Sequence, residues 1–170
     1  MGHGIAQVSA MAGHEVTLRD VEPEIVDEGI DSIRSNLDGG VERGKVTEAE
    51  KEATLGRLSG ETDLTAAVGD AEAVADAEAV LATNTSSLSV TELASSLERP
   101  GNLLGLHFFN PVHIMSLVEI VVGERTAEST RDFGIEFVEG IDKTPVVVRD
   151  VPGFASSRLG VALGVEAIRM

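Results

Sequence analysis

Small and apolar side chains recur at helical spacing from residue 2 to residue 12, and Gly13 follows as a helix stop. The next run, His14-Glu-Val-Thr-Leu-Arg-Asp20, is short and β-like and ends in a carboxylate. Residues 23–43 and 47–58 read as helices. Pro23 suits a first helical position, and Thr47-Glu-Ala-Glu50 has the form of a capped N-terminus. From 63 to 79 the chain is rich in Ala, Asp and Glu, helical in tendency but with little apolar periodicity.

The pattern then shifts to strands. Ala79-Val-Leu-Ala-Thr83 is a buried-type strand, followed by the polar turn Asn84-Thr85-Ser86-Ser87 and a helix near 90–97. Strand-like runs at 103–109 and 117–122 are joined through Asn110-Pro111. A helix over about 127–141, a strand at 145–149, the pair Pro152-Gly153 and a final helix complete the order. Strands alternating with helices predict an α/β domain with a mainly parallel sheet and flanking helices.

Composition narrows the class. A chain of 170 residues with 42% hydrophobic content holds one sizeable core. No apolar run approaches the roughly 20 residues that span a membrane, and the start lacks a secretory pattern, so a cytoplasmic setting is expected. The absence of cysteine excludes a disulfide framework, a Cys-based zinc site and a thiol nucleophile; no metal site is expected. Asp and Glu number 29 against 13 Lys and Arg, a net charge of −16, which disfavours nucleic acid and anionic membranes as partners. Acid residues lie in every segment and lysine occurs only at 45, 51 and 143, a balance suited to a halophilic protein kept soluble in high salt.

Two constellations carry candidate chemistry. Of the strand, glycine-rich turn, helix N-terminus facing the pyrophosphate and acid about 20 residues further on that a dinucleotide site needs, the helix N-terminus and the acid are present. Gly2 and Asp20 stand in those places. Asp20 would accept from the ribose hydroxyls and repel a 2′-phosphate, favouring NAD over NADP, a preference that Arg19 beside it weakens. Alternatively, Gly2 is a structural helix start and Asp20 a solvated strand end. The second constellation is Leu104-Gly-Leu-His107-Phe-Phe-Asn110-Pro111 with Glu119 twelve residues past the histidine. If the two runs pair as a hairpin, this even spacing puts both side chains on one face. A carboxylate there would orient the imidazole and stabilise its protonated form, as a general base for an alcohol requires. The other reading of His107 is a packed core residue. Asn84 to Ser87, after a strand of a parallel sheet, lies where ligands bind, or serves as a turn and helix cap.

Taken together, Met1-Gly-His-Gly-Ile-Ala-Gln-Val, Asn84-Thr-Ser-Ser-Leu88, His107-Phe-Phe-Asn-Pro111, Leu117-Val-Glu119 and Pro152-Gly-Phe154 resemble, in order and spacing, the NAD-binding half of the 3-hydroxyacyl-CoA dehydrogenase family. The resemblance implies a Rossmann-like NAD-binding domain over residues 1–151 and the start of a helical domain over 152–170, with NAD as cofactor and acyl-CoA as substrate. It implies His107 as the base that takes the 3-hydroxyl proton while hydride leaves for the nicotinamide, and Glu119 as its orienting partner. Ser86 matches a serine near the substrate oxygen and the nicotinamide, and Asn110 an asparagine on the cofactor side. Gly2 matches the third fingerprint glycine and Asp20 the ribose-binding acid. Arg43 or Lys45 falls where the family has a base near the CoA phosphates. A helical domain that forms a homodimer follows in the family, and most of it is absent here.

This chain also departs from that pattern. The first strand and the phosphate-loop glycines are missing, and between Gly69-Asp70-Ala71 and Val80 a strand, a loop and a helix are lacking. The family's asparagine after Pro-Gly-Phe is replaced within Ser156-Ser157-Arg158, where Ser157 would substitute in part at the substrate. The expectations are therefore an NAD-dependent 3-hydroxyacyl-CoA dehydrogenase of fatty-acid β-oxidation or hydroxybutyryl-CoA metabolism or, alternatively, an inactive fragment of one. A weaker third reading is a polyol or hydroxy-acid dehydrogenase. Little turnover is expected from this chain alone.

Overall fold

Helix α1 (Gly2–Met11) buries the small residues Gly4, Ala6, Ser9 and Ala10, so neighbouring chain can approach its backbone closely. It belongs to the first of two units into which this computed structural model divides, Met1–Ala79 with Asn110–Met115. Residues 1–67 and 79–170 are described; the expected shortening after Gly69 lies outside them. Strand β1 (Val16–Arg19) follows α1, then α2 (Pro23–Glu42) with Pro23 in its first turn, then α3 (Glu48–Gly56). The capping box forms as its residues suggest. The Thr47 hydroxyl accepts from the Glu50 N–H at 3.2 Å, and the Glu50 carboxylate accepts from the Thr47 N–H at 2.7 Å.

A strand follows where the sequence suggested only the end of a helix. β2 (Leu58–Glu61) runs parallel to β1, pairing Val16 with Leu58 and Arg19 with Glu61. Leu-Ser-Gly-Glu carries no two-residue apolar alternation, so its pairing with β1 decides its conformation. A short helix α4 (Leu64–Ala67) begins the Ala-rich stretch, most of which lies outside the described residues. Ala6, Ile33 and Leu37 form the core here, joined by Val16, Leu18, Val46, Leu55 and Leu58. The α2 residues Val26, Ile33 and Leu37 recur at helical intervals, which turns one stripe of that helix inward.

Gly4 is the tightest point of α1. A Cβ built there would lie 2.9 Å from the Cβ of buried Val112, on the segment that follows Asn110. Gly4→Ala is therefore expected to destabilise the protein by about 1–3 kcal/mol through overpacking. Adding Val112→Ala should recover much of that loss in a chemical-denaturation double-mutant cycle.

The second unit, Val80–Phe109 with Ser116–Met170, holds a four-stranded sheet in the order β3-β4-β5-β6. Its strands are β3 (Leu81–Thr83), β4 (Leu103–Phe108), β5 (Leu117–Val122) and β6 (Thr144–Arg149). Helix α5 (Val90–Ser95) follows β3, α6 (Glu128–Gly140) follows β5 and α7 (Ser156–Arg169) follows β6. The β3–β4 and β5–β6 pairs are parallel and β4–β5 is antiparallel. The described strands thus form two mainly parallel sheets with flanking helices. β3 was expected to be buried, yet Leu81 and Ala82 are exposed: among the described strands it is the outer one, with only β4 beside it. β4 is buried along its whole length, as a central strand covered on both faces must be. One face carries Leu104 and Ile120 against Gly134 of α6; the other packs Leu103 and Val121 with Val90, Ala94 and Phe154. No described helix is long and apolar enough to cross a membrane.

Candidate active site

The antiparallel register sets His107 directly opposite Glu119. Side chains alternate along each strand, so direct opposition puts both on one face. Their contact is short and buried: His107 Nδ1 lies 2.7 Å from Glu119 Oε2, with side-chain exposures of 8% and 2%. A carboxylate only accepts, so the bond requires a proton on Nδ1, and the neutral ring then carries its lone pair on Nε2. Phe109 lies against the imidazole at 4.7 Å between ring centroids, and Phe154 meets it edge-on at 5.6 Å.

Glu119 is held from a second direction. Its Oε1 accepts the backbone N–H of Ser156 at 2.8 Å and of Ala155 at 3.2 Å, and Oε2 accepts the Ser156 hydroxyl at 3.1 Å. These N–H groups open α7, where free donors and the helix dipole both favour an anion. Gly153 (φ 76°) and Phe154 (φ 48°) turn the chain into that helix. A left-handed phenylalanine costs on the order of 1–3 kcal/mol, against which its ring is buried with Val90, Ala94, Leu103 and Val121.

Burial by itself would raise the Glu119 carboxyl, but the hydrogen bonds from His107, Ser156 and Ala155 together outweigh it and hold the group below its ordinary value. Asp150 behaves alike: burial opposes its charge, while the Thr91 N–H and the Ser89 hydroxyl, each at 2.7 Å, draw it down. Both folded-state values are depressed, so the stability they contribute is complete above the unfolded carboxylate range. It is lost as pH falls through the folded values. The Tm should therefore hold near neutrality and drop as pH falls below about 4.5, and Glu119→Gln with Asp150→Asn should flatten that acid slope.

The other sequence-derived candidates are distributed as follows. Ser86 is exposed on the turn after β3, and no described residue bonds its hydroxyl. Its neighbour Asn84 uses its side-chain oxygen to accept the Phe108 N–H at 2.8 Å, beside His107. Thr85 caps the turn through Ser87 and Leu88, and Ser89 caps α5. Ser157 is exposed; it is Ser156, which the sequence did not single out, that reaches Glu119. In the first unit Gly2 opens α1 with room for a side chain, the nearest atom to a built Cβ being Leu18 Cδ1 at 4.0 Å. Packing therefore does not demand glycine there. Asp20 directly follows β1 and accepts its neighbour Val21's N–H at 2.7 Å, while Arg19 Nε donates to the Thr62 carbonyl at 3.0 Å. Arg43 and Lys45 flank Gly44 (φ 65°) at the exposed end of α2. Asn110 is exposed and precedes Pro111 through a cis peptide bond.

One unit thus offers a helix N-terminus and an acid just after a parallel strand, features of a dinucleotide-binding α/β fold, and the other offers a buried His–Glu pair. Comparison with known proteins agrees. The family profile "3-hydroxyacyl-CoA dehydrogenase, NAD binding domain" matches residues 1–77 and 69–151, and the chain belongs to that family. It is 37% identical to a probable 3-hydroxybutyryl-CoA dehydrogenase of Deinococcus radiodurans over 190 residues, covering 99% of this chain and 68% of that one. It is also 37% identical to the fatty acid oxidation complex subunit alpha of Idiomarina loihiensis, over 94% of this chain but only 25% of that protein's length. Among solved structures, Mycobacterium tuberculosis FadB2 superposes with a TM-score of 0.90 at 36% identity, over 100% of this chain and 67% of the other. The (S)-3-hydroxybutyryl-CoA dehydrogenase PaaH1 of Ralstonia eutropha gives 0.88 at 32%, over 96% and 65%.

Proposed function

We propose that the chain carries the proton-transfer site of an NAD-dependent dehydrogenase that oxidises a 3-hydroxyacyl-CoA to the 3-oxoacyl-CoA. The observation that carries this is the buried 2.7 Å contact between His107 Nδ1 and Glu119 Oε2. Nε2 takes the proton of the 3-hydroxyl, and the ring becomes an imidazolium held by the Glu119 charge. NAD, when bound, supplies the acceptor for the hydride that leaves C3. Gly2, open at the start of α1, fits a pyrophosphate, and Asp20 at the end of β1 fits a ribose diol. Asn110 belongs with the cofactor, Ser86 with the substrate oxygen and the nicotinamide, and Arg43, Lys45 and Ser157 with the acyl-CoA.

Residues 1–151 form the cofactor half and 152–170 the start of a helical, dimer-forming domain. The family match ending at 151 and the lack of any buried residue on α7 support that division. A cytoplasmic, halophilic setting goes with the net charge of −16. Screening this self-repulsion in molar KCl should raise the Tm.

A second reading, a chain that keeps the dyad but turns over little or not at all, has its own support. The alignment with the Deinococcus protein runs over 190 positions, longer than this 170-residue chain. The two family matches meet at 69–77, where the sequence indicates a missing strand, loop and helix. Acetoacetyl-CoA-dependent NADH oxidation in high salt tests both readings. A slow rate that His107 controls supports the proposal, and a rate indifferent to His107 overturns it.

A further inference from the structure

We infer that the Ser156 hydroxyl is a positioning residue that sets how strongly Glu119 draws on the His107 imidazole. This inference rests on the dehydrogenase reading for its consequence in catalysis, though its geometry stands alone. Ser156 Oγ donates to Glu119 Oε2 at 3.1 Å, and that same oxygen accepts His107 Nδ1 at 2.7 Å. The two donors divide one oxygen's electron density, while the backbone N–H groups of Ala155 and Ser156 occupy Oε1. Every hydrogen bond to the ionised carboxylate makes it a weaker proton acceptor. A weaker carboxylate stabilises the imidazolium less, so the proton that Nε2 takes from the substrate is released more readily.

No other charged group competes for this role among the described residues. β6 sets Val146 opposite Glu119. α5 reaches this face of the sheet through Val90 and Ala94, with Glu92 exposed. α6 and its charges cover the opposite face, through Gly134 against Leu104 and Ile120. Asp150 is engaged by Ser89 and Thr91, and Arg158 in the first turn of α7 is exposed. The backbone N–H donors survive replacement of Ser156 by Ala or Thr, so the hydroxyl is the one α7 contact to Glu119 that these variants change. A serine that merely fills space would leave the dyad's protonation unchanged when removed.

The experiment follows the Glu119 carboxyl carbon by NMR in the isotope-labelled full chain as a function of pH, in wild type, Ser156→Ala and Ser156→Thr. The expected result is a higher titration midpoint in Ser156→Ala and recovery in Ser156→Thr, with the Tm monitored in parallel. An unchanged midpoint in a folded Ser156→Ala chain overturns the inference, as does failure of threonine to restore it. Alcohol oxidation provides the second readout: on the acid side of the profile Ser156→Ala should lose about three- to tenfold in rate, with little change near the plateau. A midpoint shift without any His107-dependent turnover would retain the positioning role and remove the dehydrogenase reading. Turnover with no midpoint shift would do the reverse.

Discussion

Glu119→Ala is expected to cost about 3–5 kcal/mol of folding stability, the range for removing one partner from a buried charged pair. The size follows from the number of groups orphaned. One carboxylate accepts the His107 Nδ1 proton, the Ser156 hydroxyl and the N–H groups of Ser156 and Ala155. Truncation leaves all four without an acceptor in a site where the Glu119 side chain is 2% exposed. The start of α7 loses its anion at the same time. Glu119→Gln keeps the shape and one acceptor oxygen, so its loss should be smaller, about 1–2 kcal/mol. Urea denaturation of the three proteins measures this. A Glu119→Ala protein as stable as wild type would mean that water replaces the carboxylate freely and that the pair is not a buried structural unit.

The second large effect is on chemistry. His107→Gln should lower the rate of NADH-linked acetoacetyl-CoA reduction by about 10²–10⁴, the usual contribution of a positioned acid–base group. Glutamine can still donate to Glu119, so the fold should tolerate the change, but it has no titratable nitrogen to exchange a proton with the substrate oxygen. The phenyl rings of Phe109 and Phe154 would still pack around the site. Substrate and cofactor binding should therefore change less than turnover, which a split between kcat and KM would reveal. An equal fall in NADH affinity would instead assign His107 to the framework.

Much of this site was legible before any coordinates. The six-residue runs of β4 and β5 and the even interval between His107 and Glu119 specify a face as soon as the strands pair, because side-chain direction has a period of two. The Thr47–Glu50 capping box was legible for a similar reason: both halves are local. What failed to show was whatever depends on partners distant in sequence. β2 exists because β1 lies beside it, and nothing in Leu-Ser-Gly-Glu says so. β3 looks like a core strand by composition but is exposed because its outer side has no described neighbour. The choice between Ser156 and Ser157 turns on the positive φ of Gly153 and Phe154, which sets the angle at which α7 starts. Asn84 presents the same lesson: its place after a strand suggested ligand binding or a turn and helix cap, and the bond its side-chain oxygen accepts from the distant Phe108 N–H was in neither reading.

The account depends most on the proton between His107 and Glu119, and nitrogen-15 NMR of the imidazole observes it directly. The predicted result is an Nδ1-bound proton resonating downfield of ordinary ring N–H signals and moved by Glu119→Gln, with Nε2 unprotonated in the neutral form. Ring resonances identical in wild type and Glu119→Gln, or a proton resting on Nε2 in the neutral form, would contradict it.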